Sequence, residues 1–260
     1  MILPRKSKTQ VVVRTVLYIA LSTAALAWSL SGLEFSPKRI ASGLPEMGNI
    51  LRAMFLPPDT SYLPDVMNGL RESFQIAALG TAIASVLALP FGVLAARNLA
   101  RLPTLPYFGK LLLNFIRAFP ELVLAILFIR AVGPGPFAGV LAVGIHSIGM
   151  MGKLYAERIE TVDRDALEAL SAAGASPSEI FRHGVMPEVL PDFLSFALYR
   201  FDLNIRAATV LGLVGAGGIG TLIVFQIGRD WPKIGTILLG IIVTVGLIDF
   251  VSAKLRARLV

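Results

Sequence analysis

Long apolar runs separated by short polar segments set the pattern of this chain. The first run covers residues 11–33 and carries only Arg14 near its start. A membrane-crossing helix needs about 20 mostly apolar residues, so this run predicts one. Runs at 73–96, 111–132, 137–154, 191–227 and 234–253 predict five more. The run at 191–227 is too long for one simple span, and glycines interrupt it. Between residues 34 and 71 the chain is polar and rich in proline and charge. Within that stretch Met47, Ile50, Leu51, Met54 and Phe55 recur at helical spacing and predict a short amphipathic helix. Pro103 and Pro106 break the chain after the second run, and Gly133-Pro134-Gly135-Pro136 forms a tight turn before the fourth. The expected fold is all-α: a polytopic membrane protein with six transmembrane helices in one domain over residues 1–260.

Composition sharpens this picture. Hydrophobic residues make up 55% of the chain, charged residues 16%, and mean hydropathy is +0.73. An ordinary soluble domain carries about a quarter charged residues, and disorder needs low hydrophobicity, so both classes are excluded. The formal charge of +7 suits an anionic membrane surface. Nucleic acid is not an expected partner, because the aromatics sit in apolar runs and are not interleaved with basic residues. With no cysteine, disulfides, thiol catalysis and cysteine metal sites are excluded. His146 and His183 are the only imidazoles, without metal-ligand spacing, so no metal site is expected.

The basic residues set the topology. If the N-terminus is inside, 14 of the 24 Lys and Arg fall on the inner side, Arg5, Lys6, Arg97, Arg101 and Lys110 among them, and 7 fall outside. Excess Lys and Arg mark the cytoplasmic side, so both termini are expected there, with residues 34–71 as an external loop. A basic start, an apolar stretch and Ala25-Leu26-Ala27 also fit a cleaved signal peptide. The apolar run continues through Leu33, however, so a retained first helix is the simpler reading.

The polar segment at 165–187 is the most informative stretch. Asp165 is placed to N-cap a short helix, with Glu168 at the third position. Gly174 suits the left-handed residue just past its end. Ser176, Pro177 and Glu179 then start a second helix, expected to stop near Gly184 and Pro187. A capped loop without a partner and a docking knob for a cytoplasmic protein both fit this pattern. The segment resembles the EAA signature of ATP-binding-cassette importer permeases, E-A-A-x3-G-x9-I-x-L-P. Glu168, Ala169, Gly174 and Pro187 match in register, while Leu170, Gly184 and Met186 depart from it.

The likeness runs from about Leu70 onward, whereas residues 1–69 match only in layout. RAFPELV at 117–123, GPGPFAGVLA at 133–142, HSIGMMGKL at 146–154 and NIRAATVLGLVGAGGIG at 204–220 resemble the permeases of phosphonate importers, with phosphite importers as close relatives. The resemblance implies a type I importer permease of methionine-importer-like architecture, multi-pass in a bacterial inner membrane. It implies a second copy as homodimer partner, two cytoplasmic ATPase subunits and an external solute-binding protein. Residues 165–187 become the coupling helix that docks on the ATPase. No cofactor is expected on this chain: ATP belongs to the partner ATPase, and no GxxxxGK[ST] motif occurs here. The implied activity is translocation of phosphonate anions, not enzymatic turnover. Phosphite, phosphate or an amino acid are alternative cargoes of the same machine. An ATPase-independent secondary transporter would show an internal repeat, and an intramembrane enzyme would show HExxH or Gly-x-Ser-x-Gly; the sequence has neither.

Polar residues inside a membrane usually face a cavity or a partner. Arg117 and Glu121 flank Pro120 in the third run, His146 lies in the fourth, and Arg200, Asp202, Asn204 and Arg206 open the fifth. They suit the path of an oxyanion. They also suit internal neutralisation, since Asp202 and Arg206 are four apart in the favourable order and Arg117 and Glu121 form a similar pair. His146 suits a helix–helix hydrogen bond as well as a ligand. The run from Gly215 to Gly220 satisfies GxGxxG, but no strand pattern precedes it and no acid follows about 20 residues on, so a dinucleotide site is rejected. Gly215, Gly217 and Gly218 permit either close helix packing or a break in mid-membrane. The resemblance favours the break, beside the translocation path.

Overall fold

The computed structural model describes residues 8–33, 36–100, 102 and 104–259. Arg5, Lys6, Glu34, Arg101 and Pro103 lie outside the described residues. Every described element is helical: α1 (Lys8–Gly32), α2 (Pro37–Phe55), α3 (Leu63–Ala95), α4 (Thr104–Ala118), α5 (Glu121–Val132), α6 (Pro136–Glu160), α7 (Arg164–Ala172), the single turn α8 (Pro177–Glu179), α9 (Met186–Leu211), α10 (Gly220–Gln226) and α11 (Trp231–Arg256).

The chain divides into two units, residues 1–52 and 53–260. In the first, α1 exposes every side chain from Val11 to Leu33. α2 starts ten residues before the expected amphipathic helix, because Ile40 and Leu44 continue the apolar stripe of Met47 and Leu51 backwards by two turns.

The second unit is built on α3 packed along α6. Ala77, Gly80, Ala84, Ala88, Gly92 and Ala95 form a buried stripe on α3 at helical spacing. A Cβ at Gly80 would stand 2.9 Å from Val143 Cγ1, and one at Gly92 would stand 2.8 Å from Tyr155 Cβ. Such small-residue seams let backbones approach where lipid supplies no hydrophobic drive between helices. α3 begins at Leu63, ten residues ahead of the apolar run, because packing and not local apolarity holds its first turns. Val66 is fully buried against Ile219 and Ile237.

Among the described residues, four helices are long and apolar enough to cross a membrane: Val11–Gly32, the helical stretch Thr60–Ala95, Pro136–Glu160 and Trp231–Arg256. A fifth is added if α4 and α5 count as one span, but they bend by 80°. The third span expected at 111–132 is therefore divided between two helices. Pro120 lacks an amide donor and keeps Phe119 out of helical geometry, so the chain turns there. The fifth expected span, in the run at 191–227, differs for another reason. α9 is 26 residues long, but Glu188, Asp192, Arg200, Asp202 and Arg206 make it too charged to pass as an apolar span. Past α9 the chain makes a short 3-10 turn over Gly212–Val214 and then three left-handed residues, Gly215 (φ 92°), Gly217 (φ 82°) and Gly218 (φ 81°), before α10. The glycine run is thus a break, packed against α3: the Ile219 amide donates to Ser73 Oγ at 2.9 Å.

Candidate functional site

Two places gather the residues singled out by sequence. The first is the polar hairpin of α7 and α8. Its N-cap is Asp163, not Asp165: Asp163 has non-helical ψ (121°), and its Oδ1 accepts the Asp165 amide at 3.0 Å. Glu168 consequently lies in the second turn and makes no capping box. Gly174 has φ +87°. Its amide donates to the Ser171 carbonyl at 3.0 Å and that of Ala175 to Leu170 at 3.1 Å, the paired bonds of a Schellman turn. Ser176 and Glu179 do close the next helix start. The Glu179 carboxylate accepts the Ser176 amide at 2.7 Å and its hydroxyl at 2.6 Å. These bonds hold the Glu179 carboxyl below its ordinary pKa.

The second helix does not stop at Gly184 and Pro187. It widens into a π-helical stretch over Ile180–Val185 and runs on as α9, with Pro187 in its first turn. Bonds spanning five residues absorb the donor that Pro187 lacks. Two departures from the signature meet here. A Cβ at Gly184 would stand 2.8 Å from Leu170 Cδ1, so the larger residue at 170 fills the place left by the smaller one at 184. Glu168, Ala169, Gly174 and Pro187 are all exposed. Glu168 also lines a cleft of about 420 Å³ with Asn98, Leu99, Leu167 and Phe181.

Sequence reading missed the clamps that hold this hairpin. At the end of α6, Arg158 pairs with Asp192 through Nε and with Glu188 at 3.3 Å, tying α6 to α9. Two residues on, Glu160 accepts Lys110 Nζ at 2.8 Å and the Arg97 amide at 2.9 Å, tying α6 to α4 and to the end of α3. Opposite charges at these helix ends were visible in the sequence, but their pairing across 30 to 60 residues was not.

The second place is the bend between α4 and α5. His146 Nδ1 lies 3.2 Å from the Phe119 carbonyl. A Cβ at Gly149 would stand 2.7 Å from Arg117 Cγ, so α4 ends directly on α6. Arg117 is exposed and makes no ion pair with Glu121 among the described residues, since the bend parts them. Beneath the bend runs a buried hydrogen-bond chain. Arg200 Nε donates to Ser147 Oγ at 2.8 Å, and Asn204 Nδ2 donates to Ser147 Oγ at 3.1 Å and to Thr81 Oγ1 at 2.8 Å. Asn204 is fully buried and ties α9 to α3 and α6. Asp202 and Arg206 form the expected pair at 3.0 Å, but Arg206 also reaches Asp249 on α11 at 2.8 Å. Gly217 packs against Glu72 and Pro136, and Gly218 against Ser73, at the far end of α9 from the hairpin.

Comparison with known proteins places this architecture. Residues 88–259 match the family of binding-protein-dependent transport system inner membrane components. The phosphite transport system permease protein PtxC of Stutzerimonas stutzeri is 42% identical over 218 residues, covering 84% of this chain and 79% of that protein. The cryptic phosphonate transport system permease protein PhnE2 of Escherichia coli is 41% identical over 122 residues, covering 46% of this chain and 100% of that protein. In fold, the chain resembles the inward-facing methionine ABC transporter MetNI, with TM-score 0.69 at 21% identity over 78% of this chain and 99% of that one. The all-α, methionine-importer-like architecture expected from the resemblance is the one observed. The chain thus belongs to the family of binding-protein-dependent transport system inner membrane components.

Proposed function

We propose that this chain is the membrane-spanning half of an ATP-driven importer for small phosphorus oxyanions, with phosphonate first and phosphite as the near alternative. The observation that carries the reading is the exposed hairpin with its fixed turn at Gly174, braced at its root by Arg158. A short capped helix held at both ends passes rigid-body motion into α6 and α9. In this reading residues 165–187 form the coupling element for a separate ATPase chain, and no ATP is hydrolysed here. Two copies of the chain, two ATPase subunits and an external binding protein complete the machine in a bacterial inner membrane.

The whole chain serves as one permease domain, with both termini cytoplasmic and residues 34–71 outside. That topology takes the bent α4–α5 pair and α9 as spans beside the four apolar helices, which restores six. ATP-driven closure of the ATPase dimer pushes the two hairpins together and opens the permease outward; hydrolysis returns it inward. Arg117, Glu121 and His146 border the path at the bend. Asn204 and the Asp202–Arg206 pair hold its wall, and the turn at Gly215, Gly217 and Gly218 lies beside it.

The test is reconstitution of this chain with its ATPase and binding protein in liposomes. ATP hydrolysis should rise when the binding protein carries an alkylphosphonate, and labelled phosphonate should collect on the side away from the binding protein. Stimulation by an amino acid alone would overturn the cargo and leave the importer standing. Cargo movement without ATPase would identify a secondary transporter.

A further inference from the structure

Three arginines of this chain sit where their charge has to be answered, and they are answered unequally. Arg158 holds two carboxylates, Asp192 and Glu188. Arg206 holds two more, Asp202 and Asp249. Arg200 lies deeper than either, 6% exposed, and among the described residues no carboxylate stands within 4.0 Å of it. Its contacts are neutral: Nε donates to Ser147 Oγ at 2.8 Å, and Nη1 lies 3.3 Å from the Met150 thioether. Nη2 has no hydrogen-bond partner among the described residues. A thioether is a weak acceptor, so the outer edge of the guanidinium has no strong protein acceptor among the described residues.

A buried cation normally keeps a counter-charge and uses its N–H groups, since removal from water penalises both. Glu121, at the start of α5, has an Oε1 that is itself buried without a hydrogen-bond partner. Arg200 bonds Ser147, the neighbour of His146, and His146 contacts Phe119, two residues before Glu121. Arg200 and Glu121 therefore both belong to the α4–α5 bend, and among the described residues no ion pair joins them. The hydrogen-bond chain through Ser147, Asn204 and Thr81 fixes the inner edge of the guanidinium, so its position does not depend on Glu121.

We infer that Arg200 is the transient binding residue for the transported oxyanion, whose oxygens take the open Nη edge. A planar fork of donors matches two oxygens of a tetrahedral anion, and a lysine does not reproduce it. Glu121 is the resident competitor: it answers the charge between cargoes and repels the anion once Arg200 has taken it, which keeps the site weak enough to release. The identity of the anion as a phosphorus oxyanion rests on the function proposed above.

The test uses the reconstituted importer, with labelled alkylphosphonate uptake and ATP hydrolysis measured together. Uptake by the wild-type chain establishes the cargo first, so a wild type that moves no phosphonate or phosphite overturns the cargo and not the role of Arg200. Arg200→Gln should then lower uptake at least about tenfold, as loss of a charge-assisted bond to cargo does, while the loaded binding protein still stimulates ATP hydrolysis. Uptake above half the wild-type rate overturns the inference. If Arg200→Gln fails to assemble and both signals fall, Arg200→Lys decides. It keeps a buried charge and loses the fork. Full-rate uptake by Arg200→Lys overturns the inference, and a loss of about tenfold or more with ATP hydrolysis retained upholds it.

Discussion

Pro120 and Pro187 interrupt this chain in opposite ways. At Pro120 the backbone leaves the helix (φ −60°, ψ 138°), and α4 and α5 meet at 80°. At Pro187 the helix continues: the Met186 amide reaches back five residues to Phe181, and α9 proceeds. The residue type is the same, so the difference lies in what precedes it. A widened π-helical turn has already shifted the bonding register ahead of Pro187. Phe119 has no such turn before it, and the clash with proline pushes it out of helical geometry. One proline thus makes a corner where polar groups collect, and the other leaves a stiff connection from the hairpin into α9.

The largest effect is expected where the stiff connection begins. Gly174→Val puts a β-branched residue at φ +87°, at a strain of about 1–3 kcal/mol. Uptake should be abolished while membrane insertion is retained. Normal uptake by this variant would remove the hairpin from coupling.

Pro120→Ala attacks the corner. It returns an amide donor and should straighten α4 into α5, drawing Phe119 from His146 and lowering uptake about tenfold. Pro187→Ala should change uptake less than twofold, because the π-helical turn already makes room for the residue. Equal losses in the two variants would erase the contrast.

A smaller effect tests the packing at the root of the hairpin. Gly184→Ile drives a side chain into Leu170 and should destabilise the folded protein by about 1–3 kcal/mol. Adding Leu170→Ala, which restores both signature residues, should recover most of that loss in a thermal melt. No recovery would show that the two positions are not exchanging volume.

The smallest effect is a pH dependence of the α8 cap. Glu179 has a depressed folded-state pKa, so its contribution is present above the unfolded carboxyl range and is lost as pH falls through the folded value. The protection factor of the Ser176 amide, corrected for the intrinsic pH dependence of exchange, should fall on acidification below about pH 4. Glu179→Gln should flatten that change, and an unchanged profile would rule out the cap as its source.

Much of this could be read from residue patterns. The capping of α8 by Ser176 and Glu179 and the left-handed Gly174 follow from rules that act over four residues, and they fold as expected. The cap at Asp163 was missed because Asp163 and Asp165 are equally good N-caps, and only the entry direction from α6 chooses between them. The start of α3 at Leu63 was missed because distant Ile219 and Ile237 hold it. The polar centre was half legible. Its residue types stood out against apolar runs, yet the isolation of Arg200 and the second acid on Arg206 depend on how α6, α9 and α11 meet.

α3 carries a consequence for the lipid around it. Its 33 residues extend about 50 Å, against a hydrocarbon core of about 30 Å. Val66 is pinned at one end by Ile219 and Ile237, and the other end leads into the cleft beside the hairpin. In the topology proposed above, the surplus length stands in water. Asp65, Asn68, Arg71 and Glu72 make the first turns fit for that. In that topology a thicker or thinner bilayer wets more or less of those turns, and the spacing between the Val66 cluster and the hairpin stays constant: the helix is a ruler whose zero is set by the protein and not by the membrane.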